Sequence, residues 1–142
     1  PDPSVMLDFN TFLFNGKVFP ATTPMVVATN QNVRMRFGNL SMDSHPLHLH
    51  GHFFWVTGTD GGELPPSARW RETTVNVNPG QTRTIDFVAD NPGDWAFHCH
   101  KTHHVMNAMG HELPNPIGAD LTAAERRIRK LIPGYMAMGT TG

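Results

Sequence analysis

All nine histidines of this 142-residue chain, and its only cysteine, fall in two short stretches: HPLHLHGH at His45–His52 and HCHKTHHVMNAMGH at His98–His111. Histidines used for packing or solubility scatter along a chain, so this clustering points to a metal site. One thiolate, several imidazoles and a thioether at Met109 form a soft, nitrogen-rich donor set. Such a set favours copper over calcium, magnesium or manganese.

Strand geometry divides these donors. Successive side chains of a strand point to opposite faces of a sheet. If Phe97 to His100 is extended, His98 and His100 share one face and Cys99 looks out from the other, so three adjacent residues serve two centres. His48 and His50 share a parity and can face one centre together. His45 precedes them beside Pro46, where the chain is expected to bend out of regular pairing, leaving His45 free to reach the other centre. His104 follows Cys99 by five residues and Met109 follows it by ten, so a helical turn or two would bring both back over the sulfur.

Two sites follow. His45, Cys99 and His104, with Met109 as a weak axial ligand, form the two-histidine, one-cysteine arrangement of a blue-copper electron-transfer centre. His48, His50, His98 and His100 form an all-imidazole site with no protein acid. Such a site suits copper that binds dioxygen, although imidazole alone also accepts zinc. His52, His103 and His111 read as outlying imidazoles without an assigned role.

The elements that must hold these donors read as strands. Thirteen glycines and twelve prolines punctuate short segments of alternating polarity, the pattern of an all-β sandwich or barrel. Asn15-Gly16 is a strong hairpin signal between Phe9–Phe14 and Lys17–Phe19. VRMRF places Val33, Met35 and Phe37 on one face and Arg34 and Arg36 on the other. Further strands are expected at Leu47–Thr57, Thr73–Val77, Gln81–Ala89 and Asp94–His100, with Asn78-Pro79-Gly80 and Asn91-Pro92-Gly93 as turns. About seven such strands make a Greek-key β-sandwich. Near the C-terminus, Asp120 or Thr122 can cap a short helix whose buried side would be Leu121, Ile128 and Leu131, and Pro133-Gly134 ends it. The expected organisation is one copper domain over residues 1–118, with the helix and tail of 119–142 packed on it.

Composition limits the partners. Eleven basic and twelve acidic residues give a net charge of −1, without a basic run that would suit nucleic acid. No apolar run has the length of a membrane span. The start, PDPSVMLDF, lacks the regions of a signal peptide and reads as a mature or excised segment.

HPLHLHGH followed by HCHKTHH and Met109 resembles the paired copper signatures in the C-terminal cupredoxin domain of multicopper oxidases, the laccase-like and bacterial copper-oxidase group. WVTGTDGG and ETTVNVNPGQTRTIDFVADNPGDWAFHCH follow in the expected order, so the resemblance covers most of the chain. It implies that His45, Cys99 and His104 hold a type 1 copper with Met109 axial, that His48 holds a type 2 copper, and that His50, His98 and His100 belong to a type 3 pair. It implies that Cys99, His98 and His100 relay electrons from a small reducing substrate (a phenol, an aromatic amine or a metal ion) to a trinuclear cluster that reduces dioxygen to water. A periplasmic or secreted location is implied as well.

One departure is informative. The family's cluster takes its other histidines from His-x-His pairs of an N-terminal cupredoxin domain, and this chain carries no such pairs outside the two stretches. A second domain of a longer parent, or a neighbouring subunit, is the implied partner. Three other classes compete. A stand-alone blue-copper carrier or copper-binding module would leave His48, His50, His98 and His100 idle. A cysteine hydrolase is poorly served by Cys99, because its two histidine neighbours point away from the sulfur. A closed structural zinc site would use four ligands and has no use for two sets of opposite parity.

Overall fold

The computed structural model describes residues 12–18, 21–101, 104 and 122–131. The chain divides into two compact units, one of Met25–Lys101 and one combining Pro1–Pro24 with Thr102–Gly142.

The Met25–Lys101 unit contains eight strands. They are β1 (Asn32–Gly38), β2 (His45–Leu49), β3 (Phe54–Thr59), β4 (Gly62–Glu63), β5 (Trp70–Glu72), β6 (Thr74–Val77), β7 (Thr82–Val88) and β8 (Phe97–Cys99). One sheet has the order β1-β7-β3-β4 with β5 also on β3, and the other has the order β6-β2-β8. All pairings are antiparallel. The all-β sandwich expected from the punctuation is therefore the observed architecture.

Alternation builds the strands. In β1 the odd residues Val33, Met35 and Phe37 are half-buried and Arg34 and Arg36 are exposed. Leu47, Leu49, Val75, Val77 and Cys99 of the smaller sheet pack with Phe54, Val56 and Ile85 of the larger one. Full burial of side chains such as Phe54, Val56 and Ile85 stabilises the sandwich by about 1.5–3 kcal/mol each. On the outer face, Arg34 donates from Nε and Nη2 to both carboxylate oxygens of Asp86, its register partner on β7, at 2.7 Å each.

Three local expectations change. The stretch Leu47–Thr57 is not one strand: it leaves the smaller sheet after β2 and enters the larger one as β3. The crossing is made at Gly51, whose φ of +71° suits a residue without a side chain. The last strand is also shorter, Phe97–Cys99 instead of Asp94–His100. Pro46 does not bend the chain out of pairing, because His45 and Pro46 lie opposite Val77 and Asn76 in regular β2–β6 register. The Pro46 carbonyl accepts from His100 N at 2.7 Å, so the side of Pro46 without an N–H faces the position just beyond the end of β8. Proline there removes at most a terminal ladder bond.

The second unit carries the Asn15-Gly16 turn. Phe14 and Lys17 form an isolated antiparallel bridge, and both turn residues have positive φ as a tight hairpin requires. The helix α1 spans Thr122–Leu131. Leu131, expected on its buried side, is 72% exposed. Asp120 and Leu121 lie outside the described residues.

Candidate metal centre

The two histidine stretches meet because β2 is the middle strand of its sheet and β8 its neighbour. Leu47 pairs with Cys99, His48 with His98 and Leu49 with Phe97. Residues directly opposite point to the same face. His45, Leu47 and Cys99 therefore face the core, while His48, His50 and His98 face the other way. Strand parity alone turns His45 toward Cys99, and no bend at Pro46 is needed.

On the core side, His45 Nδ1 lies 3.8 Å from Cys99 Sγ. Cys99 is buried, and burial pushes its thiol up from the ordinary range. Burial also holds the His45 imidazole below its usual value, against a smaller opposing effect of Asp43. Both donors are thus kept in their uncharged forms until a metal replaces the thiol proton. The second nitrogen of His45, Nε2, is 2.8 Å from Ser41 Oγ. Lys101 Nζ donates to Asp43 Oδ1 at 2.6 Å, and Ser44 N donates to the same oxygen at 2.7 Å, pinning the segment that leads into His45.

On the other side the imidazoles converge. The His48 centroid lies 4.8 Å from His50, 5.6 Å from His98 and 4.5 Å from His100. His98 lies 5.1 Å from both His50 and His100. Hydrogen bonds fix much of this set. His98 Nδ1 lies 2.9 Å from the Cys99 carbonyl, which can only accept, so Nδ1 carries the proton and Nε2 presents a lone pair. His50 Nε2, at 2.9 Å, is then the donor to it. His48 Nδ1 bonds Thr74 Oγ1 at 2.8 Å, which leaves Nε2 to the cluster. Burial, and after it the charge of neighbouring histidines, lowers the pKa values of His48 and His50. Neutral rings are the form that binds metal.

An all-imidazole donor set fits copper, and the buried thiol beside an imidazole fits a soft metal. His104 is buried in the second unit and stacks on Phe12, with ring centroids 4.1 Å apart at 22°. Met109, His103 and His111 lie outside the described residues. His52 packs against Phe87 and Trp95, and its buried Nε2 has no hydrogen-bond partner among the described residues. A cavity of about 300 Å³ lined by Trp55, Thr57, Pro66, Arg69 and Asp86 contains none of these donors. Ser41 and Thr74, whose hydroxyls bond His45 and His48, carry no sequence signal of their own.

A β-sandwich with a cysteine–histidine pair on one side of a strand pair and converging imidazoles on the other defines a copper-binding domain of the cupredoxin type. The multicopper oxidase family model matches residues 1–118, and the chain belongs to that family. It is 40% identical over 99 residues to the multicopper oxidase MmcO of Mycobacterium tuberculosis, across 70% of this chain and 19% of that protein. It is 44% identical over 91 residues to L-ascorbate oxidase of Cucurbita pepo var. melopepo, across 56% of this chain and 16% of that protein. The blue copper oxidase from Nitrosomonas europaea superposes with a TM-score of 0.63 at 28% identity, over 74% of this chain and 32% of that one. The chain thus spans less than a fifth of the two relatives' length. Copper is the cofactor. Among the described residues, no helix is long and apolar enough to cross a membrane.

Proposed function

We propose that this chain is the C-terminal copper domain of an oxygen-reducing multicopper oxidase, spanning residues 1–118 with 119–142 as a helical tail. His45, Cys99, His104 and Met109 would hold a type 1 copper. His48 would hold a type 2 copper, and His50, His98 and His100 would belong to a type 3 pair. Bound copper supplies one-electron redox chemistry at the first set and dioxygen chemistry at the second.

The observation that carries this reading is the placement of the two donor sets on opposite faces of β2 and β8. Cys99 is joined to His98 and His100 by one peptide bond on each side, so the chain itself links the sets covalently. His48, His50 and His98 are half-buried and His100 is exposed, leaving this face open to further ligands. An N-terminal cupredoxin domain of the same parent, or a neighbouring subunit, supplies them. The reducing substrate is small: a phenol, an aromatic amine or a metal ion. The protein works in the periplasm or outside the cell, as an export-borne copper enzyme. A blue-copper carrier has no use for four convergent imidazoles.

Two substitutions in the assembled oxidase test the reading. Cys99→Ser should abolish the thiolate-to-copper colour together with oxygen uptake. His100→Ala should keep the colour and stop oxygen uptake. A coloured Cys99→Ser protein, or full oxygen uptake by His100→Ala, would overturn it.

A further inference from the structure

A chain of hydrogen bonds with a fixed proton order ends on His45. It begins at Asn39, just after β1, which is 6% exposed. Asn39 Nδ2 donates to the carbonyls of Asp43 at 2.7 Å and Val77 at 2.8 Å. Carbonyl oxygens only accept, so the amide cannot be turned the other way round. Asn39 Oδ1 is therefore an acceptor, and it receives Ser41 N at 2.9 Å and Ser41 Oγ at 2.6 Å.

Ser41 has a single hydroxyl proton to give. The other oxygen near it, the Asp43 carbonyl at 3.1 Å, also only accepts. Whichever of the two takes the proton, Ser41 meets His45 Nε2, 2.8 Å away, with a lone pair. His45 Nε2 must then carry the hydrogen. Nδ1 is left with the lone pair, and Nδ1 is the atom that lies 3.8 Å from Cys99 Sγ.

We propose that Ser41 is a positioning residue for the type 1 copper ligand His45, fixing its Nε2–H tautomer through a relay anchored on buried Asn39 and so aiming Nδ1 at the metal. This rests on the reading of His45 and Cys99 as copper ligands. Neither Asn39 nor Ser41 touches the metal. They act through the ring, as the outer partners of metal-bound histidines do, and losing such a partner typically weakens metal binding about 10- to 100-fold. Ser41→Thr keeps the hydroxyl and should preserve the relay. Ser41→Ala removes it.

The test uses the full chain. In the metal-free protein, long-range proton–nitrogen correlation on labelled histidine should show His45 as the Nε2–H tautomer; an Nδ1–H ring would overturn the proposal, whether or not any variant folds. In a copper(II) titration followed by the thiolate charge-transfer band, Ser41→Ala should weaken binding about 10- to 100-fold and broaden the band, and Ser41→Thr should restore both. Unchanged affinity and band shape in folded Ser41→Ala would also overturn it. Cys99→Ser separates the two readings: if it stays coloured, the ligand assignment fails, whereas a colourless Cys99→Ser beside a neutral Ser41→Ala sinks the relay alone.

Discussion

His48 and His98 are register partners across β2 and β8, one step from the Leu47–Cys99 pair that faces the opposite side of the same sheet. The imidazole face is thus a product of register, and Thr74 on β6 completes it by holding His48 Nδ1 at 2.8 Å. Thr74→Val, nearly the same shape, should change stability by about 1 kcal/mol. It should weaken zinc binding to the imidazole face about 10- to 100-fold, because His48 loses its orienting partner. Calorimetric titration in a Cys99→Ser background, which removes the thiolate donor, measures this. Equal affinity in a folded variant would show that Thr74 does not orient His48.

Gly51 holds the passage from β2 to β3 against the indole of Trp95. A Cβ at this position would collide with the Trp95 ring at Cδ2, Cε2 and Cε3, at a φ of +71°. The contact is locked from both ends, since Asn91 Nδ2 donates to the Gly51 carbonyl at 3.0 Å and Trp95 Nε1 donates to the Asn91 carbonyl at 2.8 Å. Gly51→Ala combines left-handed strain with overpacking and should destabilise the sandwich by about 2–5 kcal/mol, read as a lower urea midpoint. In a Trp95→Ala background only the strain remains, and the same substitution should cost about 1–2 kcal/mol.

These two cases also show how much the sequence could reveal. The parity of His45, His48 and His50, and of His98, Cys99 and His100, is legible because a strand's period of two holds wherever it is extended. That rule set His98 and His100 apart from Cys99 and paired His48 with His50, whereas His45 was assigned through an expected bend at Pro46 that the register does not show. Pro46 was misleading because proline's usual effect on pairing is spared where its missing N–H meets the end of a neighbouring strand. His50–Phe53 continue the strand-like pattern of β2, so the crossing between sheets at Gly51 is invisible without the Trp95 contact. Leu131 fits a helical stripe, but it ends α1, where the chain need not bury it. The Asn39–Ser41–His45 relay depends on carbonyls from β6 and the loop after β1, contacts that no local pattern encodes.

Asp86 should make the sandwich sensitive to acid. Hydrogen bonds from the Arg34 guanidinium hold its carboxyl below the usual carboxylate range. A value lower in the folded than in the unfolded chain means that the carboxylate stabilises the fold above about pH 3.9 and loses that contribution as pH falls through the folded value. With 30% of the side chain exposed, solvent screening keeps the effect below about 1 kcal/mol. Urea midpoints between pH 2 and 6, compared between the wild type and Asp86→Asn, should show a shallower acid loss in the variant. Parallel curves would refute a role for Asp86.

His52 should prove dispensable for metal binding although it ends the HPLHLHGH run. Among the described residues its buried Nε2 has no partner, and its Nδ1 reaches the His50 carbonyl alone, at a long 3.3 Å. The ring packs between Phe87 and Trp95, at centroid distances of 5.4 and 6.1 Å. A metal ligand needs a lone pair aimed at the ion, and here the available one points into packed side chains. A buried unsatisfied polar atom costs about 1–3 kcal/mol, while the single long hydrogen bond returns at most about 1 kcal/mol. His52→Phe should therefore leave stability unchanged or raise it slightly in urea denaturation, with copper content and colour as in the wild type. A His52→Phe protein that is folded but short of copper would place His52 among the ligands, and the His50–His98 geometry would have to rearrange to admit it.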